Sequence, residues 1–176
     1  MPTPDRTSLA EIVDAGRALT EDGGASRLTM QAVAERVGVR PPSLYKRVRD
    51  REALLVLVAE ATVADLTQRL AASDGTLAGL AHAYRAFAHQ HPEGFRLMFT
   101  VDGAAGSLDR ASEPILRVAR DLVGEDAALD AARLITAWAT GFIDMELAGS
   151  FRLGGDVDGA FAFGLDRLER GLRQAQ

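Results

Sequence analysis

The chain of 176 residues contains no cysteine, so it has no disulfide framework, no thiolate metal site and no thiol nucleophile. No stretch approaches the ~20 uninterrupted apolar residues that a helix needs to span a bilayer. The first residues, MPTPDRTS, lack the apolar run of a signal peptide. Alternating β-branched residues are also missing, whereas helical periods recur along nearly the whole chain. We therefore predict an all-α, cytoplasmic protein that does not enter a membrane.

The motifs of enzymes and metal sites are absent as well. The sequence has no HExxH, no GxxxxGK[ST] and no Ser/His/acid set. His82 and His89 lie seven residues apart on one predicted helix. Such a separation is ~10 Å, which is too far for both to bind one metal ion. Asp144 and Glu146, two residues apart, point to different sides of their helix. These patterns predict a protein that is not an enzyme and has no catalytic residue, metal or cofactor.

The stretch from Leu28 to Leu55 has the pattern of two short helices joined by a tight turn. Thr29 can cap the first helix through its hydroxyl. Gly38 suits the left-handed residue that ends a helix, and Pro41 fits the first turn of the next one. We predict that the second helix occupies residues 43–48, with its polar and basic side chains pointing outward. This layout is that of a helix-turn-helix.

The same stretch is basic within an acidic chain. Seven basic and two acidic residues lie between Arg27 and Arg51, whereas the whole chain carries a formal net charge of −5. Phosphate neutralisation supplies much of the affinity for DNA, and Arg and Lys side chains suit guanine edges. The predicted DNA contacts are Arg27, Thr29, Arg40, Pro41, Ser43, Tyr45, Lys46, Arg47 and Arg51. Of these, Arg27, Thr29 and Arg51 are assigned to phosphates. Arg6, in a polar arm at residues 1–7, is a further candidate.

The sequence GVRPPSLYKRVRDREALL, residues 38–55, resembles the N-terminal domain of TetR-type transcriptional regulators. The similarity lies in the glycine-valine pair, the Leu-Tyr pair and the final Arg-x-Ala-Leu-Leu. It implies a three-helix DNA-binding domain at residues 1–50. A ligand-binding and dimerisation domain, an antiparallel helical bundle, would follow at residues 51–176, giving about nine helices in all. Residues 100–109 are predicted to form a loop, with the next helix at residues 110–123.

Two further stretches resemble the Trp-His-Gly subgroup of that family. They are HPEGFRLMF at residues 91–99 and the Trp-Ala-Thr-Gly sequence that begins at Trp138, where Thr140 replaces the usual His. The resemblance implies a small, mostly apolar effector. Its candidate contacts are Tyr84, Phe87, His89, Phe95, Met98, Phe99, Trp138, Thr140, Phe142 and Asp144. An aromatic stripe is as readily the core of the domain, and both interpretations stay open.

A long helix predicted at about residues 127–150 is apolar on two sides, so it must be covered on two sides. One cover can be the core of the same chain and the other a second subunit. Together with the last helix it would form a four-helix bundle across a two-fold axis. The predicted interface residues are Ile135, Ala139, Ile143, Phe161, Gly164, Leu165, Leu168 and Leu172.

Taken together, these patterns predict a homodimeric repressor that binds a near-palindromic DNA operator and is released by a small effector. The alternative is a small all-α protein-binding module or enzyme with no role at DNA.

Overall fold

The computed structural model of the protein describes residues 7–102 and 105–174. Within these ranges the chain forms ten α-helices, one 3-10 turn at Ala25–Arg27 and no strand, which confirms the all-α prediction. The predicted arm with Arg6 lies outside the described residues, apart from its last residue. The helices are α1 (Leu9–Glu21), α2 (Met30–Arg36), α3 (Pro41–Leu44), α4 (Arg51–Ala71), α5 (Leu77–Gln90), α6 (Pro92–Met98), α7 (Ala105–Ala111), α8 (Glu113–Val123), α9 (Glu125–Leu147) and α10 (Val157–Gln174). Among the described helices, none combines the length and the apolar content needed to cross a bilayer.

The chain divides into two compact units. The first comprises Met1–Asp65 and His91–Leu108, and the second comprises Leu66–Gln90 and Asp109–Gln176. One division therefore falls inside α4, and α6 is grouped with the N-terminal helices. The division at residues 50 and 51 that we drew from the sequence concerns function, and it stays a prediction.

The first unit is built on an apolar core beneath α1, α2 and α3. Ile12, Leu28, Val33 and Leu44 have no exposed surface there. Fully burying an apolar side chain of this size contributes about 1.5–3 kcal/mol. Helix α1 approaches α4 closely at Gly16, because a Cβ there would lie 2.7 Å from a Val58 methyl group. Because Val33 of α2 and Leu44 of α3 belong to this core, the core holds both helices of the helix-turn-helix in place.

Helix α6 is held against α1 by a carboxylate. The two side-chain oxygens of Glu21 accept hydrogen bonds from the backbone N–H groups of Glu93 (3.2 Å) and Gly94 (2.8 Å). A Cβ at Gly94 would lie 2.7 Å from one of those oxygens and 3.2 Å from the Thr62 methyl group. The glycine thus permits the close approach that the two hydrogen bonds require.

The second unit has its own core, made by α5, α8, α9 and α10. Leu80, Leu122, Ile135 and Leu165 are almost fully buried in it, as is Phe161. Its aromatic rings pack on each other: Trp138 stacks on Phe161 at 5.2 Å between ring centroids. Phe142 meets the same Phe161 ring edge-on, also at 5.2 Å. The contact of α9 with α10 therefore centres on Phe161.

Two helix predictions were wrong in their bounds. Residues 105–109, predicted as a loop, begin helix α7, and a second helix, α8, follows it after one residue. Ser107 and Ala111 give the short helix a buried side. Pro114 lies in the first turn of α8, where its missing N–H has no helical partner to lose, and it cannot continue α7. The described chain therefore has ten helices rather than about nine.

The second helix of the helix-turn-helix is also shorter than predicted. Regular α-helix covers Pro41–Leu44 instead of residues 43–48. The turn nevertheless continues, since Arg47 N–H (2.8 Å) and Val48 N–H (2.9 Å) both donate to the Leu44 carbonyl. The side chains up to Val48 are therefore still displayed as on a helix.

Candidate functional site

The turn between α2 and α3 is determined by hydrogen bonds and backbone angles of residues close to it. The Thr29 hydroxyl accepts a hydrogen bond from Ala32 N–H at 3.1 Å, which caps α2. At the other end, Gly38 N–H donates to the Glu35 carbonyl (3.2 Å) and Val39 N–H to the Ala34 carbonyl (3.0 Å). These two bonds form the Schellman motif, which needs a left-handed residue, and Gly38 supplies it with φ of +73°. The chain therefore turns sharply before Pro41, as the sequence predicted.

Helix α3 and the turn that follows it to Val48 bury two apolar side chains and expose polar ones. Leu44 is fully buried and Val48 is 3% exposed, whereas Tyr45 is 54% exposed. Lys46 is the only lysine in the sequence. The exposed side chains at this corner are those of Arg40, Pro42, Ser43, Tyr45, Lys46 and Arg47, and Pro41 is half-buried. This surface combines donors for base edges with positive charge for phosphates.

Several arginines of the basic stretch already have acidic partners. Arg36 pairs with Asp22 at 3.2 Å and Arg49 with Asp50 at 2.6 Å. Asp50 also caps α4 by accepting the N–H of Ala53 at 2.8 Å. This backbone bond, followed by the bond from Arg49, holds the pKa of the Asp50 carboxyl below its ordinary value. Arg36 and Arg49 are therefore paired with carboxylates within the chain.

Arg51 differs from the other predicted DNA contacts. Its Nε donates to the Leu28 carbonyl at 2.7 Å, and its Nη2 donates to the Ala25 carbonyl at 2.7 Å. Its Nη1 lies 3.6 Å from a Glu52 carboxylate oxygen. The assignment of Arg51 to a phosphate came from its charge alone. In the structure its guanidinium binds the backbone between α1 and α2. Arg27 and Thr29, the other two assigned to phosphates, are exposed.

The candidate effector contacts fall in both compact units. Phe95, Met98 and Phe99 belong to the first unit, where only Phe99 is substantially exposed, at 49%. The other seven belong to the second unit, and among them Phe87 is fully buried. The ten candidates therefore do not gather within one unit, and Phe87, Phe95 and Met98 have the burial of core residues.

Tyr84 and Thr140 form a polar pair within the second unit. Their side-chain oxygens lie 2.9 Å apart. Burial of the phenol raises the pKa of Tyr84 to about 12. Thr140 stands where the resembled motif has His, so in this chain a neutral hydroxyl pair occupies that position. Trp138 and Phe142, on the same helix as Thr140, are half-buried.

Sequence reasoning missed a charged cluster beside that pair. Arg85 on α5 binds both carboxylate oxygens of Glu146 on α9, with its Nε 2.8 Å from one of them, and its Nη2 is 2.7 Å from Asp158. Its guanidinium also lies 4.8 Å from the centre of the Phe161 ring. His89 Nε2 is 3.0 Å from Glu146. The bonds from Arg85, followed by the bond from His89, hold the pKa of Glu146 below its ordinary value. Among the predicted effector contacts, His89 is therefore already bound to a carboxylate, and Asp144 is exposed.

The predicted dimer residues lie mostly inside the single chain. Ile135, Ala139, Ile143, Phe161 and Leu165 are each less than 5% exposed, and Gly164, Leu168 and Leu172 are half-buried. A side chain without exposed surface in one chain has little to bury against a second copy. The large apolar residues that are exposed on or between α9 and α10 are Leu129, Leu134, Met145, Phe151, Leu153 and Phe163. Periodicity showed two apolar sides on α9, and it could not show which of them faces the core.

Comparison with known proteins gives consistent matches at both ends of the chain. Residues 12–58 match the family of bacterial regulatory proteins called tetR, and residues 77–168 match the tetracyclin repressor-like C-terminal domain. Two curated relatives are uncharacterized HTH-type transcriptional regulators. YobS of Bacillus subtilis is 31% identical over 87 residues, which are 46% of this chain and 46% of YobS. Rv0681 of Mycobacterium tuberculosis is 32% identical over 95 residues, 51% of this chain and 44% of Rv0681. The matched part thus spans about half the length of each relative.

Solved structures share the fold. The transcriptional regulator SCO7222, a TetR from Streptomyces coelicolor, has a TM-score of 0.79 with 18% identity over 96% of this chain and 98% of its own. A variant of TetR from Acinetobacter baumannii, solved in complex with minocycline, has a TM-score of 0.71 with 23% identity over 96% of this chain and 98% of its own. At these identities the likeness concerns the fold alone.

Proposed function

We propose that this chain, which belongs to the TetR family of helix-turn-helix transcriptional regulators, is a repressor released from DNA by a small, mostly apolar effector. The family consists of DNA-binding regulators and not of enzymes. The observation that carries the proposal is the exposed polar and basic surface at residues 40–47. This surface follows α2, which is capped by Thr29 and ends at the left-handed Gly38. Because its target is DNA, we propose the cytoplasm as its location.

The proposed DNA contacts divide into two groups. Arg40, Ser43, Tyr45, Lys46 and Arg47 would enter the major groove with α3, supported by Pro41 at its start. Arg27 and Thr29 would bind the flanking phosphates. In a dimer, two such surfaces about 34–36 Å apart read successive major grooves, which requires a near-palindromic operator.

Fluorescence anisotropy with the DNA that flanks its own gene tests these contacts. Replacing Lys46 and Arg47 together by Ala should weaken binding, since each good base contact contributes about 1–3 kcal/mol. It should also reduce the dependence of binding on salt. The matched control removes two exposed arginines elsewhere, Arg117 on α8 and Arg173 on α10, and should leave both quantities almost unchanged. Unchanged affinity and salt dependence in the Lys46/Arg47 variant would refute the assignment.

The single lysine offers an independent test of the same surface. Acetylation of Lys46 can be followed by mass spectrometry without interference from another lysine side chain. We expect the DNA duplex to protect Lys46 from the reagent, and an unrelated polyanion such as heparin to protect it less at the same ionic strength. Equal labelling with and without the duplex would place Lys46 away from the DNA.

For the effector, we propose a small, mostly apolar molecule contacted by Tyr84, Trp138, Thr140 and Phe142 of the second unit. These side chains are half-buried, and they combine apolar rings with one hydroxyl pair. That the TetR variant of Acinetobacter baumannii was solved with minocycline supports a small-molecule ligand. His89 and Asp144, which are exposed, are further candidates in the second unit, and Phe99 is a separate candidate in the first unit. Phe87, Phe95 and Met98 would reach a ligand only after a rearrangement of their packing.

Effector candidates can be found through Trp138, the only tryptophan. A compound that binds the folded chain should change Trp138 fluorescence and raise the melting temperature by mass action. A true effector must also weaken DNA binding, because the two ligands then favour different states of the protein. A compound that binds and leaves DNA affinity unchanged is not the effector.

For the dimer, we propose an interface made by the exposed apolar side chains of α9 and α10. Leu134 and Met145 on α9 and Phe163 on α10 are 48–63% exposed, and Leu153 between the two helices is fully exposed. Exposed apolar residues gathered on two helices are typical of an interface. The residues predicted from the sequence as the interface, such as Ile135, Ile143 and Leu165, would then form the core-facing side of the same helices.

Light scattering coupled to gel filtration tests this interface. Phe163→Glu should give a folded monomer, because a charge is placed in the apolar contact. Leu9→Glu, at a residue of the first unit that is 40% exposed, is the control and should stay dimeric. Leu165→Glu should instead unfold the second unit, since Leu165 is 4% exposed. A Phe163→Glu variant that remains dimeric would move the interface elsewhere.

A further inference from the structure

The guanidinium of Arg51 joins two segments that are distant in sequence. Arg51 is the first residue of α4, and its two acceptors, the carbonyls of Ala25 and Leu28, belong to the connection between α1 and α2. Both hydrogen bonds are 2.7 Å long, in the range of charge-assisted bonds. The planar fork of Arg suits two acceptors held at a fixed spacing, which a lysine ammonium would not match.

The carbonyls of Ala25 and Leu28 lie between the end of α1 and the start of α2, where no regular α-helix hydrogen bond is formed. The first regular bond of α2 runs from Val33 N–H to the Thr29 carbonyl at 3.0 Å, so the Leu28 carbonyl precedes the helix. The backbone of Leu28 is extended and its side chain is fully buried in the core. A carbonyl at such a place needs a donor from another element, because an unsatisfied buried carbonyl is costly. Arg51 supplies that donor.

The start of α4 is in turn fixed to the end of α3. Asp50 caps α4 through Ala53 N–H, and Val48, two residues before Asp50, is buried in the core. Arg51 therefore connects the beginning of α2, with its cap at Thr29, to the segment that follows α3. The start of α2 is the proposed phosphate contact, and α3 is the proposed base contact. The position of one relative to the other depends on the two hydrogen bonds of Arg51.

We propose that Arg51 is a positioning residue for DNA binding, which holds the α1–α2 connection in register with α3 and does not itself bind a phosphate. The inference rests on the DNA-binding surface proposed above. Nε and Nη2 donate to the two backbone carbonyls, and Nη1 lies 3.6 Å from a Glu52 carboxylate oxygen, so all three nitrogens of the guanidinium face groups of the protein. The orientation of the Arg51 guanidinium is thus set by contacts within the protein.

The salt dependence of DNA binding separates the possible roles of Arg51. Binding to the duplex that flanks the gene is measured for the unmodified chain and for Arg51→Met, Arg51→Lys and Arg27→Met. All measurements use a temperature at which circular dichroism shows every variant folded. We expect Arg51→Met to weaken binding about ten-fold, which corresponds to about 1.4 kcal/mol. The slope of log K against log salt should stay that of the unmodified protein. Arg51→Lys should be intermediate, since one ammonium can replace part of the fork.

Two results would overturn the proposal. A slope reduced by about 0.9 in Arg51→Met, as for the loss of one phosphate contact, would make Arg51 a DNA contact. A lower melting temperature with unchanged DNA affinity would make it a stabilising residue only. Arg27→Met, at a proposed phosphate contact, shows that the assay detects a change of slope.

Amide hydrogen exchange tests the connection without DNA. In Arg51→Met the N–H of Ala32, which is bonded to the Thr29 cap, should exchange faster, while the N–H of Val39 at the Gly38 corner should not. Unchanged exchange at Ala32 would refute the inference. Failure of the unmodified protein to bind the flanking duplex would refute the proposed operator, and the exchange measurement would still decide the role of Arg51.

Discussion

Replacing Glu146 by Gln should destabilise the second unit by about 2–3 kcal/mol. Glu146 and Arg85 have side chains that are 14% and 12% exposed, so the change leaves a largely buried guanidinium without its main partner. Breaking a fully buried pair costs about 3–5 kcal/mol. The expected loss is smaller here because Asp158, 2.7 Å from the same guanidinium, remains in place. The variant also loses the charged partner of His89.

Urea unfolding followed by the fluorescence of Trp138 measures this loss within the second unit. In thermal unfolding followed by the same fluorescence, the melting temperature should fall by about 4–12 °C, since a chain of this size loses about 2–4 °C per kcal/mol. The control is Glu169→Gln, which breaks a more exposed pair with Arg173 on α10. A pair of that kind contributes about 0.3–0.5 kcal/mol. Equal effects of the two substitutions would refute the reasoning from burial.

The stability that Glu146 contributes should depend on pH in one direction only. Arg85, and after it His89, lowers the pKa of Glu146 from its ordinary value of 4.5. The folded state therefore binds the Glu146 proton less readily than the unfolded state does. The resulting stabilisation is fully present above the unfolded-state pKa and is lost as the pH falls through the lowered one. The difference in stability between the unmodified chain and Glu146→Gln should shrink below pH 4.5, and a difference that grows there would contradict the assignment.

Three further predictions concern single positions. Tyr84, whose pKa is raised from 10.0 to about 12, should show its phenolate absorbance only near the higher value when the other tyrosine is replaced by Phe. Gly164→Ala would force a methyl group into the indole of Trp138, so its fluorescence should change and stability should fall by about 1–3 kcal/mol. Gly171→Ala on the same helix, with nothing within 4 Å, should not destabilise. Gly94→Ala should loosen α6 from the carboxylate that caps it, seen as faster amide exchange in α6 with α3 unaffected.

The sequence predicted most of the structure that depends on neighbouring residues. The cap at Thr29, the left-handed turn at Gly38 and the proline at the start of α3 act within a few residues of their own positions. Each therefore has a recognisable pattern, and together they located the helix-turn-helix. The outward position of Tyr45 followed from the inward spacing of Leu44 in the same way.

Contacts between distant residues could not be predicted. Arg85 and Glu146 lie 61 residues apart, and nothing in either local sequence selects the other. The same holds for Arg51 and its two backbone acceptors, so charge alone suggested a phosphate contact. For α9, two apolar sides were correctly recognised, but the choice between core and surface depends on where α10 packs.

At the corner before α3, the requirement on Gly38 is one of handedness and not of size. A Cβ added at Gly38 would have no neighbour within 4 Å, whereas its φ of +73° is unfavourable for L-residues. A mirror-image residue has the opposite preference. A semisynthetic protein with D-alanine at position 38 should therefore keep the corner intact. It should also gain stability, because its unfolded chain has fewer conformations to lose than one with glycine.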